Sequence, residues 1–192
     1  MMKDKPCGNV FIISAPSGTG KSTVIKRIME LRSDLYFSIS ATTREPRPGE
    51  ISGMSYSFLT HDQFEELIDQ DALLEYAEYV GNFYGTPKKP VLEYIKYGSD
   101  IILDIDVQGC KQVIKAMPEA VTIFIVPPSL TELERRLRHR GTDPEDKMLK
   151  RMQRAKAEMA EKDCYDYIVV NDSVSKAARE IIDIMSGTNK KP

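Results

Sequence analysis

The 192-residue chain is poor in the residues that hold metals or make covalent staples. Its two histidines, His61 and His139, lie far apart, and its three cysteines, Cys7, Cys110 and Cys164, form no C-x-x-C pair. Scattered residues of this kind argue against a disulfide framework and against a protein-held structural metal; the cysteines are expected as reduced thiols. Long apolar runs are also missing. The longest are strand-sized, such as Val10 to Ile13, far short of a membrane span. The opening MMKDKPCGN has no apolar segment behind its lysines. A cytoplasmic protein that does not associate with membranes is expected. Excess positive charge is the last absence. With 27 Lys and Arg against 29 Asp and Glu, the formal net charge is −2, so no global basic field marks nucleic acid as a partner.

What is present is ordinary globular material, 41% hydrophobic and 29% charged, in a length that fits one domain with smaller inserted lobes. Val10-Phe11-Ile12-Ile13-Ser14 is short, apolar and closed by Ala-Pro-Ser-Gly, which predicts a buried strand. From Lys21 to Leu31 the residues Val24, Ile25, Ile28, Met29 and Leu31 share one helical face. Further strands are predicted at 101–105, 121–126 and 167–170, with helices following at 109–116, 130–140 and 174–185. Repeated strand–helix units imply a mostly parallel sheet covered by helices. Two stretches break the rhythm. Residues 40–90 are polar and rich in turn signals, and read as an inserted α+β lobe. Within it, antiparallel strands at 55–59 and 74–80 flank a short helix at 62–68. Residues 135–154 are dense in arginine and lysine, and Met148, Met152, Ala155 and Met159 beyond the turn at 141–144 form a packing stripe.

Between the first strand and first helix stands Ala15-Pro16-Ser17-Gly18-Thr19-Gly20-Lys21-Ser22-Thr23. It is one residue off the G-x-x-x-x-G-K-[S/T] phosphate loop, with Ala15 in the first glycine's place. Gly18 and Gly20 let backbone N–H groups turn inward onto phosphate oxygens at a helix N-terminus. Lys21 then belongs between the β- and γ-phosphates, and the Ser22 hydroxyl on a Mg²⁺ ion that arrives with ATP. Downstream, Arg44 and Arg47 lie three apart among prolines. Such a pair suits a phosphate monoester, although an isolated R-x-x-R is equally a solvated basic loop.

At these residues the chain closely resembles guanylate kinases, an ATP-dependent nucleoside-monophosphate kinase family. The matching elements begin with Ser14-Ala-Pro-Ser-Gly-Thr-Gly-Lys-Ser and Ser40-Ala-Thr-Thr-Arg44-Glu-Pro-Arg47-Pro-Gly-Glu50. They continue through Tyr56-Ser-Phe, Leu74-Glu75-Tyr and Gly81-Asn-Phe-Tyr84-Gly85-Thr86. Leu103-Asp104-Ile-Asp106-Val-Gln-Gly109, Pro127-Pro-Ser, Arg140-Gly-Thr and Val169-Val-Asn171-Asp complete the series. The resemblance implies a P-loop NTPase-type α/β fold, a mostly parallel sheet sandwiched by helices, in a single domain. Its core would be 8–39, 91–134 and 155–187, its GMP-binding lobe 40–90 and its helical lid 135–154.

The resemblance further implies that Arg44, Arg47, Tyr56 and Tyr84 hold the GMP phosphate. Ser40, Glu75, Thr86 and Asp106 would surround the guanine, with Thr86 where the family often has serine. Asp104 matches the acidic residue near Mg²⁺, acting through water. Arg136, Arg140 and Arg151 match basic lid positions, and Asn171 a position beside the adenine. The implied reaction is ATP + GMP = ADP + GDP, with dGMP a further acceptor, in a monomer or homodimer.

The residues themselves fit that implication. Guanine offers two donors, N1–H and the 2-amino group, and carboxylates such as Glu75 and Asp106 accept from donors. Each carboxylate alone is equally a surface charge or a helix-cap partner. The attacking phosphate oxygen is already anionic, so no general base is needed. Catalysis is expected from positioning and charge neutralisation by Lys21, Mg²⁺, Arg44, Arg140 and Arg151, with His61 and His139 as surface or packing residues. The rivals are a kinase for another base and a catalytically inactive guanylate-kinase-like module that binds protein partners. Retention of Lys21, Ser22, Arg44 and Arg47 speaks against the second.

Overall fold

The computed structural model describes residues 7–139 and 145–188; Arg140 and the turn at 141–144 lie outside them. In chain order the elements begin with β1 (Val10–Ser14), α1 (Lys21–Leu31), β2 (Tyr36–Phe37), β3 (Ala41–Thr42) and β4 (Ser57–Phe58). They continue with α2 (His61–Asp69), β5 (Leu73–Tyr79), β6 (Asn82–Pro87), α3 (Lys88–Lys96), β7 (Ile101–Asp104) and α4 (Val107–Ala116). β8 (Val121–Val126), α5 (Leu130–His139), α6 (Glu145–Ala160), β9 (Tyr167–Val170) and α7 (Val174–Thr188) complete a mixed α/β fold. Two compact units emerge. One gathers the described residues up to Val10 with Asp34–Ala120, the other Phe11–Ser33 with the described residues from Val121 on.

In the second unit, β8 pairs in parallel with β1 on one side and with β9 on the other, in registers such as Ile13↔Ile123 and Ile125↔Val169. Phe11, Ile12, Ile13, Ile123, Phe124 and Ile125 are fully buried, as expected of parallel strands covered on both faces. α1 packs against α7, in which Ala177, Ala178, Ile181 and Met185 are fully buried. The methionine stripe is core: Met148, Met152 and Ala155 of α6 bury against Leu133 and Leu137 of α5.

The first unit pairs β2 with β7 in parallel and holds a separate four-stranded sheet in the order β4-β3-β6-β5. The sequence expectation of antiparallel strands at 55–59 and 74–80 is half corrected here. β5 is antiparallel to β6, whereas β4 runs parallel to β3. Strand direction depends on which partner a segment meets, and the two-residue β3 and the strand β6 carry no periodic signal of their own. β5 contains an irregularity: Leu73 faces Pro87 and Glu75 faces Thr86, so Leu74 is an extra residue. This bulge breaks the in–out alternation, and Leu73, Leu74 and Glu75 are all buried. Beneath the sheet, α2 starts with a capping box between Thr60 and Gln63 and presses Phe64 onto Ala41, Leu73 and Phe83. Phe64 and Phe83 stack with ring centres 5.3 Å apart.

Phe64 is fully buried, so truncation empties the space under β6. Phe64→Ala is expected to cost about 3–5 kcal/mol of stability in urea unfolding. A loss below about 1 kcal/mol would mean that the α2 side of the sheet is not a packed core.

Candidate functional site

The phosphate loop links β1 to α1 through two left-handed glycines, Gly18 at φ 90° and Gly20 at φ 95°. Neither accepts a side chain. A Cβ on Gly18 would stand 2.6 Å from Leu137 Cδ2, and one on Gly20 2.9 Å from Asn171 Nδ2. Ala15 replaces the first glycine without strain; its φ is not among the positive ones. Lys21 opens α1 and is half-buried, while Ser22 and Thr23 are exposed on its first turn.

The loop is gripped from outside at two points. The Thr19 carbonyl accepts 2.8 Å from Asn171 Nδ2 and 3.1 Å from Arg136 Nη1, and Arg136 Nη2 donates to the Asn171 carbonyl at 3.1 Å. Turning that carbonyl outward is what a loop needs if its N–H groups are to converge on an anion. Ser17 is the second point. Its hydroxyl accepts from Arg151 Nη2 at 3.0 Å, and its N–H makes a long 3.4 Å bond to Glu158 Oε2. Glu132 orients the arginines of α5, accepting from Arg135 and Arg136 at 2.7 Å. The two guanidiniums hold its carboxyl well below the usual 4.5, at about 2. Beside the loop a cavity of about 320 Å³ is lined by Gly18, Gly20, Thr23, Arg135, Arg136, Asn171, Asp172 and Val174. That lies at the small end of the range for nucleotide-sized ligands, roughly 300–1,000 Å³.

The first unit carries the other sequence-predicted residues. Arg44 donates to the Glu45 carbonyl at 2.7 Å and to Glu50 Oε1 at 3.0 Å, and its guanidinium lies 5.4 Å from the centre of the Tyr56 ring. Tyr84 meets the same ring edge-on, with centres 6.2 Å apart. The hydrogen bond that Arg44 donates to Glu50, with Tyr84 adding to it, keeps Arg44 above its ordinary value despite some burial. Burial pushes the Tyr56 hydroxyl up, Asp104 and Tyr84 push it further, and Arg44 opposes them. Arg47 is exposed, and its backbone N–H donates to Glu50 Oε2 at 2.8 Å. Glu50 therefore ties both arginine positions together. Sequence reasoning gave it no role, although an acid six residues after Arg44 was a usable signal.

Glu75 is 6% exposed and sits opposite Thr86, whose Oγ1 donates to Glu75 Oε1 at 2.7 Å. Between Tyr84 and Thr86, Gly85 lets β6 approach closely; a Cβ there would lie 2.9 Å from the Glu75 carbonyl and 3.0 Å from Phe64 Cζ. Ser40, just before β3, accepts the Ser57 N–H on its carbonyl. Asp106 is the N-cap of α4, its Oδ1 accepting from the Gln108 and Gly109 N–H groups at 3.0 Å. Arg44, Tyr56 and Tyr84 thus form one cluster, and Glu75 with Thr86 another. Among the described residues no group of three His, Cys, Asp or Glu could hold a metal ion. Ser22 on the first turn of α1 and, separately in the first unit, Asp104 at the end of β7 each carry oxygens of the hard kind that Mg²⁺ takes.

The protein-family model described as Guanylate kinase matches residues 7–188. A guanylate kinase from Carboxydothermus hydrogenoformans is 48% identical over 185 residues, covering 96% of this chain and 91% of the relative. One from Oceanobacillus iheyensis is 47% identical over 191 residues, covering 100% and 92%. The solved structure of guanylate kinase from Anaplasma phagocytophilum superimposes with a TM-score of 0.81 at 32% identity, covering 97% of this chain and 89% of that one.

The Glu132 pair has a pH signature. Its folded value of about 2 lies below the ordinary 4.5, so its contribution is complete above pH 4.5 and is lost as the pH falls through 2. The carboxyl carbon of Glu132 should titrate near pH 2 by NMR. A midpoint at its ordinary value would show that the α5 arginines are not held in this arrangement.

Proposed function

The chain belongs to the guanylate kinase family, and on that premise we propose that it transfers the γ-phosphate of ATP to the phosphate of GMP, giving ADP and GDP. The observation that carries the base assignment is Glu75, a buried carboxyl group whose bulged strand faces it to Thr86. Its chemistry matches the donor edge of guanine and mismatches adenine, which would bring an N1 lone pair against it.

In this reading the backbone N–H groups of Gly18 and Gly20 in the loop 15–23 cradle the ATP phosphates, and Lys21 neutralises charge between the β- and γ-phosphoryl groups. Thr23, Arg136 and Asn171 bound the space for the rest of the nucleotide. Ser22, and Asp104 through water, hold Mg²⁺, which when bound neutralises phosphate charge. Arg44, Arg47, Tyr56 and Tyr84 take the GMP phosphate, whose own anionic oxygen attacks. Arg44 is well suited to this, since Glu50 and the Tyr56 ring already fix its guanidinium and keep it charged. Ser40, Thr86 and Asp106 join Glu75 around the base. Asp106 brings its carboxylate there already anchored by the N–H groups of α4. Arg151, and Arg140 outside the described residues, supply the remaining positive charge. Residues 40–90 act as the GMP-binding lobe, 135–154 (of which 140–144 lie outside the described residues) as a lid over ATP, and 8–39, 91–134 and 155–187 as the core. dGMP is a further acceptor in this reading. The setting is the cytoplasm. The free cysteines agree with that.

Two measurements test the reading. A coupled assay with a panel of acceptors should give turnover with GMP and dGMP, and poor rates with AMP, CMP and UMP. Sites built to pair with a substrate group reject analogues lacking it by about 10⁴–10⁵. Comparable turnover of AMP would refute the Glu75 assignment. Separately, Lys21→Ala should lower kcat by about 10²–10³ with the fold intact by circular dichroism. A near-normal rate in that variant would mean that the loop does not carry the transferred phosphate.

A further inference from the structure

α4 meets β5 at the point where Glu75 stands. β5 is the edge strand of its four-stranded sheet, so the backbone groups facing away from β6 have no strand to pair with. At Tyr76 they are taken by a side chain. Gln112 Nε2 donates to the Tyr76 carbonyl at 2.9 Å, and Gln112 Oε1 accepts the Tyr76 N–H at 3.3 Å. One turn earlier on the same helical face stands Gly109, buried, with no room beside it. A Cβ on Gly109 would lie 2.6 Å from Glu75 Oε2, 3.0 Å from Cδ and 3.3 Å from Cγ. Gly109 has no positive φ to explain a glycine, and glycine inside a helix is unfavourable by about 0.5–1 kcal/mol relative to alanine. The three atoms nearest to such a Cβ all belong to the Glu75 side chain.

We infer that Gly109 and Gln112 are positioning residues for base recognition, fixing the Glu75 carboxyl by close approach and by a grip on the next residue's backbone. The inference rests on the reading of Glu75 as the acceptor of guanine. Thr86 holds one carboxyl oxygen from the neighbouring strand; the Gly109 backbone limits where the other can go. Asp106, three residues before Gly109, caps the same helix, so both carboxylates proposed to meet the base are referenced to α4. Neither Gly109 nor Gln112 needs to touch the nucleotide.

The test uses Gly109→Ala and Gln112→Ala in the full-length chain. Gly109→Ala should raise KM for GMP by about tenfold or more, since a misplacement of order 1 Å is felt strongly, while KM for ATP stays within about twofold. Gln112→Ala should move the same constant in the same direction by a smaller factor. A thermal cycle with Glu75→Ala identifies the cause. Alanine at 109 should lower Tm in the native background and raise it once the Glu75 side chain is gone. Equal shifts in both backgrounds, or a native KM for GMP in Gly109→Ala, overturn the inference. Glu75→Gln with a native KM for GMP would instead remove the reading of Glu75 itself. In that case the thermal cycle still reports whether Gly109 and Glu75 are in contact, so the two failures remain distinguishable.

Discussion

Burying a carboxyl group is unfavourable unless donors meet its oxygens and the surrounding backbone holds it still. Much of the first unit can be traced to that requirement at Glu75. The bulge in β5 turns it inward, Thr86 arrives opposite with a hydroxyl, and Gly85 lets β6 come close enough for the bond to form. Phe64 supports the pair from below, and α4 closes the open edge of the strand. Each of these residues would be an ordinary choice elsewhere. Together they leave a polar group inside an apolar sheet, with its position set from several directions.

The second unit meets a different requirement with similar economy. A loop that binds phosphate must point its N–H groups at the ligand, so its carbonyls need partners on the other side. Thr19 receives two, from Asn171 and Arg136, and Arg136 is itself aimed by Glu132. The more exposed ion pairs of α5, Arg135 with Glu132 and Arg138 with Glu134, are of little account for stability, as surface pairs usually are. The half-buried pair of Arg136 with Glu132 has its value in the direction it gives one guanidinium. The two leucines of α5 that abut Gly18 add the apolar half of the same support.

What could be read from the sequence followed from how local each feature is. β1, the phosphate loop and α1 are a contiguous motif, and their identity, limits and glycine requirements were all visible. Arg44, Glu75 and Thr86 could be named by resemblance, but their geometry could not. The contact between Glu75 and Thr86 depends on a one-residue bulge, for which Leu74 gives no signal. The direction of β4 was missed for the same kind of reason, since a two-residue strand takes its polarity from its neighbour. Asp106 shows two readings joined in one residue: the cap and the proposed base contact use one carboxylate. Gly109, Gln112 and Glu158 carry no local signal because the partners that matter lie far along the chain, whereas Glu50 stands only six residues from the Arg44 it binds.

The bulge has a consequence for how such a protein can change. It separates the pairing of Leu73 with Pro87 from the uninterrupted register that runs through Ala77 and Tyr84. Glu75 opposite Thr86 belongs to that register, so Thr86 and Tyr84 move as one ladder. Changes at the Leu73 end, where β6 passes into α3, would be absorbed at Leu74 and leave that ladder in place. A descendant of this chain could remodel the start of α3 without disturbing either pairing.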